Sequence, residues 1–295
     1  MERLFFIVNP TAANGRCAQG FALLEQTLRD KGVAYDAVYT TMAGGATRLA
    51  QDALERGERN IVAVGGDGTV NEVAAALVGK EATLGILPLG TGNDFARTLG
   101  VAEDTAVALA ALLEGKRRCV DAGSVNGSVF LNAAGIGFDV EVVLATEKYK
   151  KRFKRLRGMA PFLMGVLHTL THMRTLHMSV RVDGGEPLSK DALMVVVGNG
   201  AYFGGGMNVA PMADPFDGYF DVCIVDKIST MKFLQLFPKF VKGKHVTQPA
   251  VSWIHAKQIE ISCLEPSPLE LDGEPRLSTP ASFALIPGAM QVFVP

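Results

Sequence analysis

Two kinds of apolar pattern alternate through the first 120 or so residues. The run RLFFIVN (3–9) is continuously apolar at its centre, as a strand buried on both faces would be. AQGFALLEQTLRDKG (18–32) then carries apolar residues at helical spacing and stops at Gly32. The same pairing recurs: AYDAVYT (34–40) with GATRLAQDALERG (45–57), NIVAVGG (60–66) with TVNEVAAALVG (69–79), and ATLGILPLG (82–90) with DTAVALAALLEG (104–115). Repeated strand–helix units with short connections predict an α/β domain built on a parallel sheet covered on both faces.

Beyond residue 120 the period changes. VDAGSVNGSVFLNAAGIG (120–137) is two β-like runs around Asn126-Gly127, a strong hairpin signal, and 177–200 repeats that logic around Asp183-Gly184-Gly185. Further β-like runs are YFDVCIVD (219–226), WIHAKQIEISCL (253–264), PLELDGEP (268–275) and ASFALIPGAMQVFVP (281–295), with helical patterns at roughly 140–175 and 230–243. The reading is an α/β domain over 1–125 and a mostly β, sandwich-like domain over 126–295, the last ten or so residues packing back onto the first. No linker of low complexity separates them, so the halves are expected to touch and share a cleft.

Composition narrows the function. A net charge of −1 in 295 residues argues against a nucleic-acid binder, which needs many phosphate-neutralising cations. Cys17, Cys119, Cys223 and Cys263 are scattered without a C-x-x-C pair, as in a reduced cytoplasmic protein with no disulfide framework or zinc site. The five apolar residues after Arg3 are too short for a signal peptide. The uncharged stretches 158–173 and 192–213 carry His and Thr, or Gly, Asn and Pro, and do not read as membrane spans.

The candidate chemistry lies in glycine-rich turns. Strand NIVAV enters Gly65-Gly66-Asp67-Gly68-Thr69 and a helix leaves it; glycine lets a ligand approach bare backbone, and the helix N-terminus favours phosphate. Asp67 would repel a phosphate unless a divalent cation such as Mg²⁺ lay between them. A second unit follows with Gly90-Thr91-Gly92-Asn93-Asp94, and parallel strands put both turns at one sheet edge. VNPTAANGR (8–16) after the first strand is a third candidate. A dinucleotide fingerprint is ruled out, because the closing glycine is replaced by Asn71 in one turn and Phe95 in the other; no G-x-x-x-x-G-K-[ST] loop is present.

GGDGTVNEV, LPLGTGNDFAR, VNPTAANGR, FDGYFDV and LDGEP, in this order over nearly the whole chain, resemble the bacterial diacylglycerol kinase-like lipid kinases, of the superfamily that includes NAD kinases and 6-phosphofructokinases. GGDGT is shared across that superfamily, whereas GTGNDFAR with a late LDGE is specific to the lipid-kinase branch. The resemblance implies ATP held by Asn9, Thr11, Thr40, Gly66, Asp67, Gly68, Thr69, Val70, Asn71, Glu72 and Thr91, with Thr40 preferred to Thr41 on spacing alone. It implies Asp67, Asp94 and Asp121 as an acidic network around a catalytic Mg²⁺, and Glu274 as general base on the lipid hydroxyl. It also implies a structural Mg²⁺ on the Asp217 side chain and the carbonyls of Asp214 and Tyr219. Without the resemblance, Glu274 and Asp217 read equally as ordinary turn residues. The first loop has Ala12 where the commoner version has Ser-Gly, which keeps the backbone donors and loses one side-chain contact.

KYKKRFKRLR (148–157) has seven cations in ten positions, and Tyr149, Phe153, Leu156 and Ala160 fall at i, i+4, i+7 and i+11. A helix of that kind suits an anionic membrane surface, each cation adding on the order of 1 kcal/mol; a solvated face or a contact in a homodimer is the plain alternative. Phe162, Leu163, Met164, Leu167 and Met173 read as core before they read as an acyl-chain groove, and His168, His172, His177, His245 and His255 show no metal-ligand spacing. The leading expectation is an ATP- and Mg²⁺-dependent lipid kinase acting on diacylglycerol or a related glycerolipid, peripheral to the inner membrane face. An NAD kinase-like activity on a soluble nucleotide and a non-catalytic nucleotide sensor are the alternatives.

Overall fold

The computed structural model describes residues 3–102, 104–153 and 160–295. Its first half is built as the alternating pattern requires. Strands β1 (Leu4–Val8), β2 (Tyr35–Tyr39), β3 (Asn60–Gly65) and β4 (Thr83–Pro88) pair in parallel in the order β2-β1-β3-β4. Every residue of β1, β3 and β4 is buried, so both faces of this sheet are covered. The cover is α1 (Arg16–Asp30), α2 (Gly45–Glu55), α3 (Asp67–Leu77), the short α4 (Asp94–Thr98) and α5 (Thr105–Glu114). Phe6, Phe21, Leu28, Ile61, Leu77 and Leu84 are fully buried members of the core they share.

The second half is antiparallel. Strand β5 (Arg117–Val125) turns at Asn126-Gly127, both at positive φ, into β6 (Ser128–Phe130). Strands β7 (Ala133–Gly137), β8 (Leu176–Val182), β9 (Leu188–Gly198), β10 (Phe220–Asp226), β11 (Val251–Ala256), β12 (Gln258–Cys263), β13 (Pro268–Leu271), β14 (Glu274–Ser278) and β15 (Ala281–Phe293) follow. The run 253–264 is therefore two strands, broken at Lys257. All described strands join one sheet: β15 pairs antiparallel with β12 and β5 and parallel with β4, through Gln291↔Thr83 and Val292↔Leu84. Ala289, Met290, Val292 and Phe293 accordingly belong to the first core.

The period-2 alternation of the second half serves two cores. Val195 and Val197 of β9, with Phe220, Val222 and Ile224 of β10, face a core closed by β8, β12, β13 and β15. Met194, Val196, Cys223 and Val225 face the other way, onto α6 (Phe138–Arg152), α7 (Ala160–Thr171) and α8 (Thr230–Val241). Gly165 lets α7 approach α6 closely, since a Cβ there would lie 2.3 Å from Thr146 Oγ1 and 2.9 Å from the Val142 carbonyl. This packing corrects the expectation of one basic helix through 148–160. Helix α6 ends at Arg152 so that α7 can return along it; Phe153 is already non-helical (φ −119°, ψ 70°) and stacks on Tyr149 at 6.3 Å. Tyr149, Phe153 and Ala160 therefore do not share one helical face, and residues 154–157 of the basic stretch lie outside the described residues.

Candidate active site

The two central glycine turns meet backbone to backbone. A Cβ on Gly90 would sit 2.2 Å from Gly66 Cα, so Gly90 is fixed first by the contact between the turns. Asn93, at φ +56°, folds the second turn by accepting from Gly90 N–H (3.1 Å) and donating to the Pro88 carbonyl (3.1 Å). Across the contact, Asp67 Oδ1 accepts from the backbone N–H of Asp94 (2.6 Å) and Phe95 (3.3 Å), capping α4. Asp94 in turn reaches the 204–206 glycines of the second half: Gly205 donates to Oδ2 (2.7 Å) and Gly206 to Oδ1 (2.6 Å). Thr91 stays exposed on the outside of its turn.

Asp67 and Asp94 border the same point, a Cβ on Gly92 lying 2.6 Å from Asp67 Oδ2 and 3.7 Å from Asp94 Oδ2. Burial, and then the charge of Asp67, push Asp94 up to about 6 even though the Gly205 and Gly206 N–H groups and Arg97 pull the other way. A crowded pair of carboxylates with oxygen donors only is a set a hard divalent cation such as Mg²⁺ fits, and its charge would relieve the repulsion. Asp121 takes a different place from the one expected. Its carboxylate accepts from Gly218 (2.9 Å) and Gly288 (2.7 Å), and its N–H donates to the Pro215 carbonyl, so it ties β5 to the 214–219 turn and to β15.

Around the helix start, Asn9 donates to Thr69 Oγ1 (3.0 Å) and its Oδ1 accepts from the Thr11 N–H (3.2 Å) and hydroxyl (2.9 Å), joining the first loop to α3. The first N–H to bond back four residues in α3 is that of Val70, to the Gly66 carbonyl, which leaves the amides of Asp67 and Gly68 as the donors a helix N-terminus offers an anion. Four expected ATP contacts have other places in this structure. Val70 is a core side chain, 3% exposed. Glu72 accepts from the Gly44 and Ala46 N–H groups (2.9 Å each), holding the start of α2. Asn71 donates to Asp272 Oδ2 (2.6 Å). Thr40 continues the β2 ladder through its N–H to the Val8 carbonyl (2.9 Å).

Asp272 is the residue the pattern reading passed over. At φ +47°, with Gly273 at +85°, it makes the β13–β14 turn and accepts from the Leu131, Asn132 and Ala133 N–H groups (2.8–2.9 Å). This arrangement carries Glu274, two residues on, across to the first half: a Cβ on Gly68 would lie 3.3 Å from Glu274 Oε1. Arg276 holds the Glu274 carboxylate through Nε (3.0 Å).

A narrow crevice bordered by Asp67, Asn71, Asp94, Phe95, Asn132, Phe203 and Asp272 runs beneath this point. Phe203 also lines a cavity of about 230 Å³ that extends between α6, α7, α8 and β9, walled by Phe138, Val142, Phe162, Val166, Phe233, Phe237 and Phe240, with Gly273 at its border. Phe162 is thus a cavity wall, and Leu163 and Leu167, read as core, face outward at 57% and 55% exposure, because α7 buries only its opposite side.

In the 214–219 turn, Asp217 Oδ1 accepts from the Tyr219 N–H (2.9 Å) and its own N–H donates to the Asp214 carbonyl (3.2 Å). The structure adds two neighbours: one ligand atom each of Asp217, Asp221 and His255 lie within 4.8 Å of one another. Strand pairing of β10 with β11 opposes Asp221 and His255, a proximity that no spacing along the chain reveals. The turn thus has acidic and imidazole donors besides the carbonyls.

Comparison with known proteins accords with this geometry. The family described as the diacylglycerol kinase catalytic domain matches residues 3–125, and the YegS C-terminal NAD kinase beta sandwich-like domain matches 132–294. A diacylglycerol kinase of Bacillus subtilis (strain 168) is 30% identical over 298 residues, covering 100% of this chain and 97% of its own. A probable YegS-like lipid kinase of Pseudomonas aeruginosa is 38% identical over 260 residues, 85% of this chain and 82% of its own. Among solved structures, a putative diacylglycerol kinase from Bacillus anthracis str. Sterne superimposes with a TM-score of 0.79 at 27% identity, covering 100% of this chain and 97% of that one. An NAD kinase from Archaeoglobus fulgidus in complex with ATP shares the fold, with a TM-score of 0.53 at 13% identity over 99% of this chain and 93% of that one.

Proposed function

Because the chain belongs to the bacterial diacylglycerol kinase-like family, and is a lipid kinase that transfers phosphate to an alcohol, we propose that it phosphorylates the free hydroxyl of diacylglycerol or a related glycerolipid with ATP and Mg²⁺, giving a phosphatidic acid-type product. The observation that carries this reading is that Phe203 lines both the narrow crevice of Asp67, Asn71 and Asp94 and the apolar cavity. A glycerolipid with an acyl chain in the cavity would present its free glycerol hydroxyl toward the point where Glu274 approaches Gly68. The hydroxyl oxygen attacks the γ-phosphorus, the bond to the bridging oxygen breaks, ADP leaves, and the hydroxyl proton passes to Glu274. The amides of Asp67 and Gly68 receive phosphate oxygens. Asp67 and Asp94 are the residues that would hold Mg²⁺, which would supply neutralisation of charge on the phosphates.

The same cavity suggests how a membrane-resident alcohol is reached. No helix among the described residues is long and apolar enough to cross a membrane. Leu163 and Leu167 on α7 and Met231 and Leu234 on α8 are exposed and belong to the helices that wall the cavity, and Lys148, Lys150, Lys151 and Arg152 end α6, Lys150 lining the same cavity. In our reading this face, rather than a single basic helix, rests on an anionic bilayer.

The test is transfer of labelled phosphate from ATP in the presence of Mg²⁺, to diacylglycerol in mixed micelles and in parallel to NAD. Label in the lipid alone is the expected result. Label in NAD alone would overturn the proposal in favour of a soluble-nucleotide kinase.

A further inference from the structure

Two buried carboxylates behind the active-site turn have no role in the chemistry above. Asp139, at the start of α6, is 8% exposed and Glu270, on β13, is fully buried. Both border the bare Cα of Gly135 on β7: a Cβ there would lie 1.5 Å from Asp139 Oδ2 and 2.9 Å from Glu270 Oε1. Asp139 makes no hydrogen bond of ordinary geometry, although the backbone N–H groups of Asp139 and Val140 lie close enough to act on it; Glu270 Oε1 has no partner either, whereas Glu270 Oε2 accepts from the Gly273 N–H in the turn that carries Glu274. Two anions buried side by side with so few partners are strongly disfavoured, so such pairs retain a proton.

We infer that Asp139 and Glu270 share a single proton across Gly135, and that this O–H···O contact fixes Glu270 so that it holds the 272–274 turn, making both of them positioning residues for Glu274.

The surroundings favour the shared proton. Burial foremost pushes Asp139 up to about 7, against the pull of the backbone N–H groups that begin α6, and burial, then the Asp139 charge, raises Glu270 well above the ordinary carboxylate range. The groups acting on the pair are themselves acids: Glu141 on α6, Asp272 in the turn, Asp94 from the first half, and the Cys223 thiol on β10. Glu147 and Lys150 line the same cavity further along α6, Lys150 about 16 Å on by helical rise. With both values raised in the folded state, protons are held at low pH and lost as pH rises, the last of them only at the higher of the pair's two values, above the ordinary carboxylate range. Loss leaves two buried anions facing each other, and Glu270 then no longer rests in one place under Gly273.

This inference builds on the reading of Glu274 as the base, so its test uses a readout that does not depend on turnover. Asp139→Asn, Glu270→Gln and Asp139→Ala are compared for deuterium uptake of the 268–276 segment, corrected for intrinsic exchange, and for kcat on diacylglycerol, both from pH 6 to 9. Either amide supplies a permanent N–H donor to the remaining carboxylate. At pH 7 both amide variants should keep the turn protected and kcat within about threefold of wild type. They should also lose the decline in protection that wild type shows toward high pH. Asp139→Ala should lose at least tenfold in both readouts; if it fails to fold, the pH profiles of the two amide variants decide.

Amide variants that behave like Asp139→Ala, or a wild-type turn whose protection does not change with pH, would overturn the shared proton. If the turn responds as expected while Glu274→Gln keeps full turnover, the positioning of the turn stands and the assignment of the base falls.

Discussion

Gly90 and Gly66 show how a single missing methyl decides the geometry of a site. At Gly90 the atoms a Cβ would strike are backbone atoms of the other turn, at 2.2 and 2.7 Å, and backbone cannot swing aside as a side chain can. At Gly66 the nearest atom is Gly90 Cα at 3.3 Å, a contact that a small adjustment relieves. Gly90→Ala should therefore destabilise the protein by about 1–3 kcal/mol, as overpacking does, with ATP affinity falling in step. Gly66→Ala should cost less, and urea titrations of the two variants compare them directly. The glycine turns were legible as a phosphate site because their spacing between strand and helix is local. Their mutual contact, Asp67 capping α4, and Asp94 receiving two N–H groups from 205–206 were not, since those partners are separated by 24 to 112 residues. Asp272 escaped for the opposite reason. It looked like the Asp of an ordinary Asp-Gly hairpin, which it also is, while its carboxylate gathers three backbone amides from 131–133.

At the scale of elements, the hairpin at Asn126-Gly127 could be read directly, because a two-residue turn with φ > 0 demands those residues, and Asp183-Gly184, also at positive φ, marked the longer connection from β8 to β9. Helix ends could not be read as well where the apolar period ran on: Phe153 continues the stripe of α6, yet the chain leaves the helix there to let α7 pack against Thr146. That correction moves the membrane argument from one basic helix with an apolar stripe to the exposed leucines and methionine of α7 and α8 combined with the cations ending α6. Leu163→Glu with Leu234→Glu adds charge at two exposed positions, so folding should be unaffected. Sedimentation with vesicles containing anionic lipid should drop at least tenfold, and turnover on vesicle-borne substrate should drop with it, at unchanged ATP affinity. Equal sedimentation of the double variant and wild type would remove this face from the proposal.

Over the whole molecule, β15 makes the two halves interdependent. Residues 281–286 pair with β12 and β5 in the antiparallel half, and Gln291 and Val292 pair with β4 in the parallel half, where Met290, Val292 and Phe293 complete its core. A fragment ending at residue 125 therefore exposes the edge of β4 and a gap in its core. It should not fold alone, whereas the full chain should unfold in one cooperative transition by circular dichroism. Two separate transitions would show halves of independent stability. The composite nature of the site follows from the same architecture: the first half contributes the amides of α3 and the carboxylates of Asp67 and Asp94, and the second contributes Glu274, Asp272 and the cavity.

The central claim is that Glu274, delivered from the second half to the phosphate turn of the first, accepts the proton of the lipid hydroxyl. The measurement that tests it most directly is kcat for phosphorylation of diacylglycerol by Glu274→Gln, alongside the dissociation constant for ATP. The account predicts a fall in kcat of about 100- to 10,000-fold, the usual worth of a positioned base, with ATP binding within about threefold of wild type. Turnover within a few-fold of wild type would contradict it, and the base would then have to be sought among the acids of the crevice.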